Sequence, residues 1–462
     1  MRRSKRGQRG GSLGLFVILI ILASILVGGY FLYTSNMFER NMPKISLKDK
    51  IFWNLKTALP FKVTDDTGIK SLKIVLDDGV QQAILLDQKF EIIEKEKELS
   101  IEFPKGLMLN QNKNYKLYVE VSDISRWNFF MGNKLASEIG IVVDSKKPEV
   151  YILNQSYKIT KGGSATVVFK ASDDMLKDVY IETNYGKIYE VKPFYKDGYY
   201  ASIVAWPVDK DDFRAYVVAI DMAGNETKTR IRYYLQDKKY KVSNIKLNNE
   251  FLDGKITDLV NIYAQNSSEI HGVDKFKFVN ESLRAANEKI INEKTNSIIE
   301  DSIDEFFLKP FYPLKNAQAV ASFGDHRFYS MDDKPVSESW HLGLDLASIA
   351  QADIRASNDG VVVLAKDTGI YGLSIVLYHG FGLYTIHSHC SNAVVSEGEQ
   401  VKAGDIIGNT GSSGLAFGDH LHFGIIVQGV EVRPEEWMDK NWMKDNIYTI
   451  LDNAKKIIDN KI

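Results

Sequence analysis

The chain has 462 residues, and its 58 Lys and Arg nearly balance 60 Asp and Glu, for a net charge of −2. At roughly 100–200 residues per domain this length predicts several domains, and the near-neutral charge argues for no nucleic-acid partner. A single cysteine excludes a disulfide framework within the chain.

The predicted elements begin with a basic tail, residues 1–11, carrying Arg2, Arg3, Lys5, Arg6 and Arg9. An uncharged apolar segment follows at 12–34, running from Leu13 to about Tyr33. At ~1.5 Å per residue its ~21 residues span a ~30 Å hydrocarbon core. The basic flank keeps the N-terminus cytoplasmic, which predicts a single-pass helix in the inner (cytoplasmic) membrane with the remaining chain on the periplasmic, extracytoplasmic side. The competing reading is a cleaved signal peptide, which needs an apolar region of ~7–15 residues and a small-x-small cleavage site. No convincing site is present. Tyr30 and Tyr33 fall at the outer interface.

Residues 41–236 read as β-structure with an internal repeat. Pro43-Lys-Ile-Ser-Leu47 is echoed by Pro148-Glu-Val-Tyr-Ile152, Val63-Thr-Asp-Asp66 by Ala171-Ser-Asp-Asp174, and Tyr118-Val-Glu-Val-Ser-Asp123 by Tyr216-Val-Val-Ala-Ile-Asp221. The offsets match one β-sandwich domain, about 100 residues, so two modules are expected, 41–145 and 146–236. Asp221-Met-Ala-Gly-Asn225 resembles the closing strand of bacterial immunoglobulin-like modules. The acidic pairs suit Ca²⁺ between modules, but such Asp residues more often satisfy turn amides. Neither module carries a catalytic constellation, which leaves them as a spacer or docking surface.

Residues 237–308 change character and read as a helical linker. Leu252, Ile256, Leu259 and Tyr263 recur at helical spacing, as do Leu283, Ala286 and Ile290. His271 stands alone and is expected to be exposed. These helices are further expected to cover the active-site groove, so that deleting 245–300 raises the cleavage rate.

The chain's chemistry is concentrated in 309–437. Of its eight histidines, seven lie between His326 and His422. Gly408, Gly411, Gly414 and Gly418 punctuate a loop leading into His420-Leu421-His422. If that segment is a strand, its two imidazoles share one face. His341-Leu-Gly-Leu-Asp345 adds an imidazole and a carboxylate. A catalytic Zn²⁺ site needs about three protein ligands and an open position. His341, Asp345 and one of His420 and His422 meet that count, with His389 as a further candidate. His326, His379 and Cys390 are expected to be structural. The final segment, 438–462, reads as a packing helix with Ile450, Leu451, Ala454 and Ile458 on one face.

His341-x-x-x-Asp345, Tyr384-Thr-Ile-His-Ser-His389 and Gly-Asp-His420-Leu-His422, taken in order, resemble the lysostaphin-type zinc endopeptidases of bacterial cell walls. The resemblance covers roughly 311–437. It implies Zn²⁺ ligands His341, Asp345 and His422, catalytic histidines His389 and His420, and a peptidoglycan substrate. His387 stands where that family often has Tyr, and Cys390 where it usually has Leu.

The expected architecture is therefore mainly β: a transmembrane helix, two immunoglobulin-like modules, a helical linker and a C-terminal antiparallel β catalytic domain. The expected activity is hydrolysis of peptidoglycan peptide cross-links by a D,D-endopeptidase, with carboxypeptidase trimming second and membership of a cell-wall protein complex possible. No His-Glu-x-x-His helix or serine elbow offers another hydrolytic centre. The rival from a different class is a regulator, since some relatives of the family have lost ligands and activate a wall amidase. Here all five positions are filled.

Overall fold

The computed structural model describes residues 11–48, 50–105 and 114–460. The basic side chains of residues 1–10 lie outside these. The first element is the helix Gly11–Thr34. Its Gly14–Thr34 portion has a mean hydropathy of 2.8 and is long and apolar enough to cross a membrane, a property it shares with signal sequences. Low-propensity residues matter little here, because every backbone polar group but those at the ends is satisfied inside the helix.

The described chain forms two compact units, one running up to Lys147 and including Asp221–Asn225, the other comprising Pro148–Ile220 and Glu226 onward. The first unit holds a five-stranded sheet in the order Lys50–Trp53, Lys134–Val143, Asn114–Asp123, Ile69–Asp77, Gln82–Lys89. A three-stranded sheet joins Lys44–Ile45, Leu59–Thr64 and Glu96–Ile101. The strand Asn114–Asp123 alternates exposed and buried residues along its length, as one face against a core requires. Leu117, Val119 and Val121 there share a core with Phe61 and Val63 of the smaller sheet.

The second unit opens with two four-stranded sheets. One is ordered Lys192–Phe194, Lys196–Ala205, Ser164–Ser172, Glu149–Gln155; the other Ile188–Glu190, Leu176–Thr183, Ala215–Asp221, Glu226–Ile231. Their core continues into that of the C-terminal domain without a break, so residues 148–220 are not a free-standing module. The C-terminal helix Thr449–Ile458 buries Ile450, Leu451, Ala454 and Ile458. It packs on the strands Glu149–Gln155 and Ser164–Ser172, which explains why Ser164–Ser172 is buried on both faces.

One buried acid in this unit gives a pH-dependent stability. Glu436 is 5 % exposed, accepts the Ser164 N–H at 3.0 Å and lies 3.6 Å from Arg433. Burial, only partly offset by Arg433, pushes its carboxyl from 4.5 up to about 7. The native state therefore keeps a proton that the unfolded chain has released, and stability falls as pH rises from about 4.5 to about 7. Glu436→Gln should match the wild type in thermal unfolding at pH 5. At pH 8 it should be more stable by roughly 1–3 kcal/mol.

The C-terminal domain is an antiparallel sheet ordered Gln318–Ala321, Leu344–Ala347, Leu421–Val427, Leu383–Cys390, Leu373–Tyr378, Gly360–Asp367, Gln400–Val401, with Val430–Val432 paired to Leu421–Val427. The two central strands, Leu383–Cys390 and Leu421–Val427, are buried throughout. Period-2 alternation sends Leu421, Phe423, Ile425 and Val427 to one core and Ile426 to another on the opposite face.

That opposite face is covered by the segment read above as a linker. Leu252, Ile256 and Leu259 are buried, and Phe276, Val279, Leu283 and Ile291 share a core with Val376, Tyr384, Ile386 and Ile426 of the sheet. The segment is a set of short helices packed as a layer, not a tether between domains. Excising 245–300 removes core side chains, so that deletion reports on folding rather than on restraint. The buried face of the helix Arg284–Thr295 also differs from expectation. Ala286 is exposed, and Asn287 takes the buried position. Asn287 Oδ1 accepts the Ile370 N–H at 3.0 Å, so the amide is satisfied in the interior.

Candidate metal centre

His422 enters the site on the Leu421–Val427 strand, on the face shared with Ile426. Its direct partner across the sheet is Asp345, on the strand Leu344–Ala347. His341 lies in the short loop between the strands Lys334–Trp340 and Leu344–Ala347. The three functional atoms form a nearly equilateral triangle. Asp345 Oδ1 is 3.0 Å from His341 Nε2 and 3.0 Å from His422 Nδ1, and the two nitrogens are 3.1 Å apart.

The triangle fits a small cation. Four ligands at ~2.0–2.1 Å in a tetrahedron are separated by about 3.3 Å, close to the three sides found here. His341 donates Nδ1–H to Ser322 O at 2.9 Å, which leaves the lone pair of Nε2 facing the other two groups. Such a hydrogen bond on the remote nitrogen fixes tautomer and ring orientation at metal sites. Two imidazole nitrogens this close need a proton or a cation between them. Burial raises the pKa of the Asp345 carboxyl, but the His341 and His422 rings against it outweigh burial and hold it far below the usual carboxylate range. Burial pushes His422 down, against the pull of Asp345. A deprotonated carboxylate and neutral imidazoles are the donor states a metal requires.

His420 and His389 stand beside the triangle. His420 Nε2 is 3.7 Å from Asp345 Oδ1, and its Nδ1–H donates to Gly418 O at 2.8 Å. Asp419 fixes the preceding loop by accepting from Thr410 Oγ1 and from Gln351 N. The His389 ring centroid is 4.9 Å from that of His420 and 5.8 Å from that of His422. Its Nδ1–H donates to Ser413 O at 2.9 Å. Burial, reinforced by the His422 and His420 rings, pushes His389 down to about 3, so it is neutral at pH 7 with Nε2 free.

A β-bulge decides which histidine of His387-Ser-His389 reaches the site. Leu373 pairs with Cys390 and Ile375 with His387, so Ser388 and His389 together stand opposite Ser374. His389 adopts a left-handed φ of +63°, the kind of kink that re-aims a side chain. Without the extra residue His387 and His389 share a face. With it, His387 packs against Phe423 at a ring distance of 5.4 Å, while His389 turns toward the rings of His420 and His422. Burial pushes His387 down to about 3.

The remaining candidates are structural in position. His379 Nδ1–H donates to Asp359 O and its Nε2 meets Thr385 Oγ1, both at 2.8 Å. His326 stacks on Trp340 at 4.0 Å. Cys390 is 1 % exposed, and burial pushes its thiol up to about 12, unsuited to a nucleophile. His271 is exposed.

The triangle floors a cleft of about 430 Å³. One wall comes from the helical layer, with Phe251, Phe276 and Arg284; the other carries Leu415 and Phe417. Phe251 meets Phe417 at 4.9 Å, and Tyr371 sits edge-on to His422 at 5.6 Å.

Three supports were missed from sequence: the carbonyls of Ser322 and Ser413, which carry no sequence signal, and Gly343, which does. A Cβ on Gly343 would come within 2.6 Å of His422 Nε2 and 2.7 Å of Phe423 O. The glycine between the two halves of His341-x-x-x-Asp345 is thus required by close approach of the His422 ring. Gly343→Ala should weaken zinc binding by about 10–100-fold, as lost outer supports do, measured by competition with a chromogenic chelator.

The model of peptidase family M23 matches residues 339–434, which form a domain of the LytM/lysostaphin type. The chain is 35% identical over 102 residues to a DD-carboxypeptidase/endopeptidase, Mpg, of Neisseria meningitidis serogroup B (22% of this chain, 24% of that protein). It is 33% identical over 141 residues to the peptidoglycan DD-endopeptidase ShyA of Vibrio cholerae (30% and 31%). It is 36% identical over 98 residues to the murein hydrolase activator EnvC of Escherichia coli (21% and 23%). The chain thus spans between about a quarter and a third of the length of these relatives.

Proposed function

We propose, for a chain whose residues 339–434 form a peptidase family M23 domain, that it is a zinc metalloendopeptidase cutting peptide cross-links of bacterial peptidoglycan. The observation that carries the reading is the triangle of His341 Nε2, Asp345 Oδ1 and His422 Nδ1, with sides of 3.0, 3.0 and 3.1 Å. These three residues hold the metal. Zinc bound there supplies Lewis acidity toward a scissile carbonyl and toward water.

His389 and His420 carry the proton chemistry. Each has Nδ1–H committed to a main-chain carbonyl, so each presents Nε2 to substrate. A neutral His389 takes a proton from the attacking water and returns it to the leaving amine. His420, in its imidazolium form with Nδ1–H held on Gly418 O, donates Nε2–H to the oxyanion as charge develops on the carbonyl oxygen. The cleft walls from the helical layer and from Leu415–Phe417 exclude bulk water and seat the peptide on either side of the bond.

The apolar helix at 12–34 holds the chain in the inner membrane as a single pass, with the catalytic domain outside. The sheets of residues 41–145 form an immunoglobulin-like module between the apolar helix and the remaining chain. Full-length protein in detergent, incubated with purified cross-linked muropeptides, should bind about one Zn²⁺ and release uncross-linked monomers detectable by mass spectrometry. A second reading, an activator of a wall amidase, is favoured by the similarity to a murein hydrolase activator. Products that form only when an amidase is added would select it.

A further inference from the structure

A second constellation of metal-ligating groups lies in the first unit, remote in sequence from the histidines. The segment after the apolar helix, Ser35–Asn41, lies on the 123–133 turn: Arg126 N donates to Met37 O at 2.7 Å. Ser125 Oγ and Asn133 Nδ2 both donate to Glu39 O, at 2.6 and 3.0 Å. This seating brings Glu39 to Asp65, in the turn after Leu59–Thr64, and to Asp123, at the end of Asn114–Asp123. The ligand oxygens of Glu39, Asp65 and Asp123 lie within 4.8 Å of one another.

Hydrogen bonding accounts for most of these oxygens, but not all. Asp123 Oδ1 accepts from Ser125 N and Asn133 N, and Oδ2 from Asn133 Nδ2. Glu39 accepts from Asn41 N through Oε1. Asp65 Oδ1 takes three donors, Thr67 N, Thr67 Oγ1 and Gly68 N. Asp65 Oδ2 has none, although it is buried and the residue is 8 % exposed. An orphaned carboxylate oxygen in the interior costs several kcal/mol unless a cation or donor meets it. Among the described residues no lysine or arginine pairs with any of the three acids.

We infer that Glu39, Asp65 and Asp123 form a Ca²⁺ site that fastens the segment after the apolar helix to the first sheet pair. All the donors are hard oxygens, which suits Ca²⁺ or Mg²⁺ and not a transition metal. The two buried carboxylates each commit an oxygen to main-chain N–H groups, leaving an irregular set that Ca²⁺ tolerates with added water. Mg²⁺ demands near-octahedral geometry and dehydrates reluctantly.

The test is equilibrium dialysis of zinc-loaded full-length protein in detergent against radioactive calcium. One Ca²⁺ should bind with a Kd on the order of 10⁻⁴–10⁻³ M, the range of extracellular modules. Asp65→Asn keeps the Oδ1 acceptor and should weaken binding at least about tenfold. Glu39→Gln changes a half-buried residue and should weaken it similarly, which decides the matter should Asp65→Asn not fold. Equimolar Mg²⁺ should not displace the ion. No binding up to about 10 mM, binding unchanged in the folded variants, or equal displacement by Mg²⁺ would each overturn the assignment.

Discussion

His341→Ala is expected to abolish stoichiometric zinc binding and to lower the cleavage rate by about 10³-fold or more. The loss follows from the geometry rather than from counting ligands. Removing the ring deletes one corner of the triangle and the only one of the three groups whose orientation is set by a main-chain carbonyl, Ser322 O. Asp345 Oδ1 then has one imidazole partner in place of two, and its burial is no longer outweighed to the same degree. Two remaining ligands leave a site that water completes and a chelator empties. Zinc content by atomic emission, read beside the rate on muropeptides, checks this.

His389→Ala should do the reverse: zinc stays at about one per chain while kcat falls by about 10²–10⁴-fold, the usual worth of a general acid or base. The ring touches no corner of the triangle within hydrogen-bond distance, and its nearest ring contacts are 4.9 Å to His420 and 5.8 Å to His422. His420→Ala is the more informative neighbour, because its Nε2 lies 3.7 Å from Asp345 Oδ1. Retained zinc with a lost rate places His420 on the substrate. Lost zinc would instead make it a fourth ligand.

How much of this was readable from residues alone varies with the kind of constraint. Alternation along a strand is a two-residue rule, so His420 and His422 on one wall follow once the segment is a strand; that Asp345 stands opposite His422 comes from the register of the sheet. The fold class follows from the same periodicity. The choice between His387 and His389 does not, because it depends on one extra residue at Ser388–His389, and nothing local to that sequence announces a bulge. The buried face of the helix Arg284–Thr295 is a related case. Its apolar spacing suggested Ala286 on the buried face, but a polar residue, Asn287, takes the interior through the Ile370 N–H. Hydrophobic pattern cannot report a buried amide that finds its partner 83 residues away. Likewise the runs near 41–236 announce strands and a repeat, but not that the core of residues 148–220 continues into the C-terminal domain.

The most direct examination of the metal centre is an anomalous-difference map at the zinc edge from crystals of the full chain. A single peak should lie about 2.0–2.2 Å from His341 Nε2, His422 Nδ1 and a carboxylate oxygen of Asp345. A zinc-replete crystal with no density between these three groups, or with its ion held by other side chains, would contradict the account.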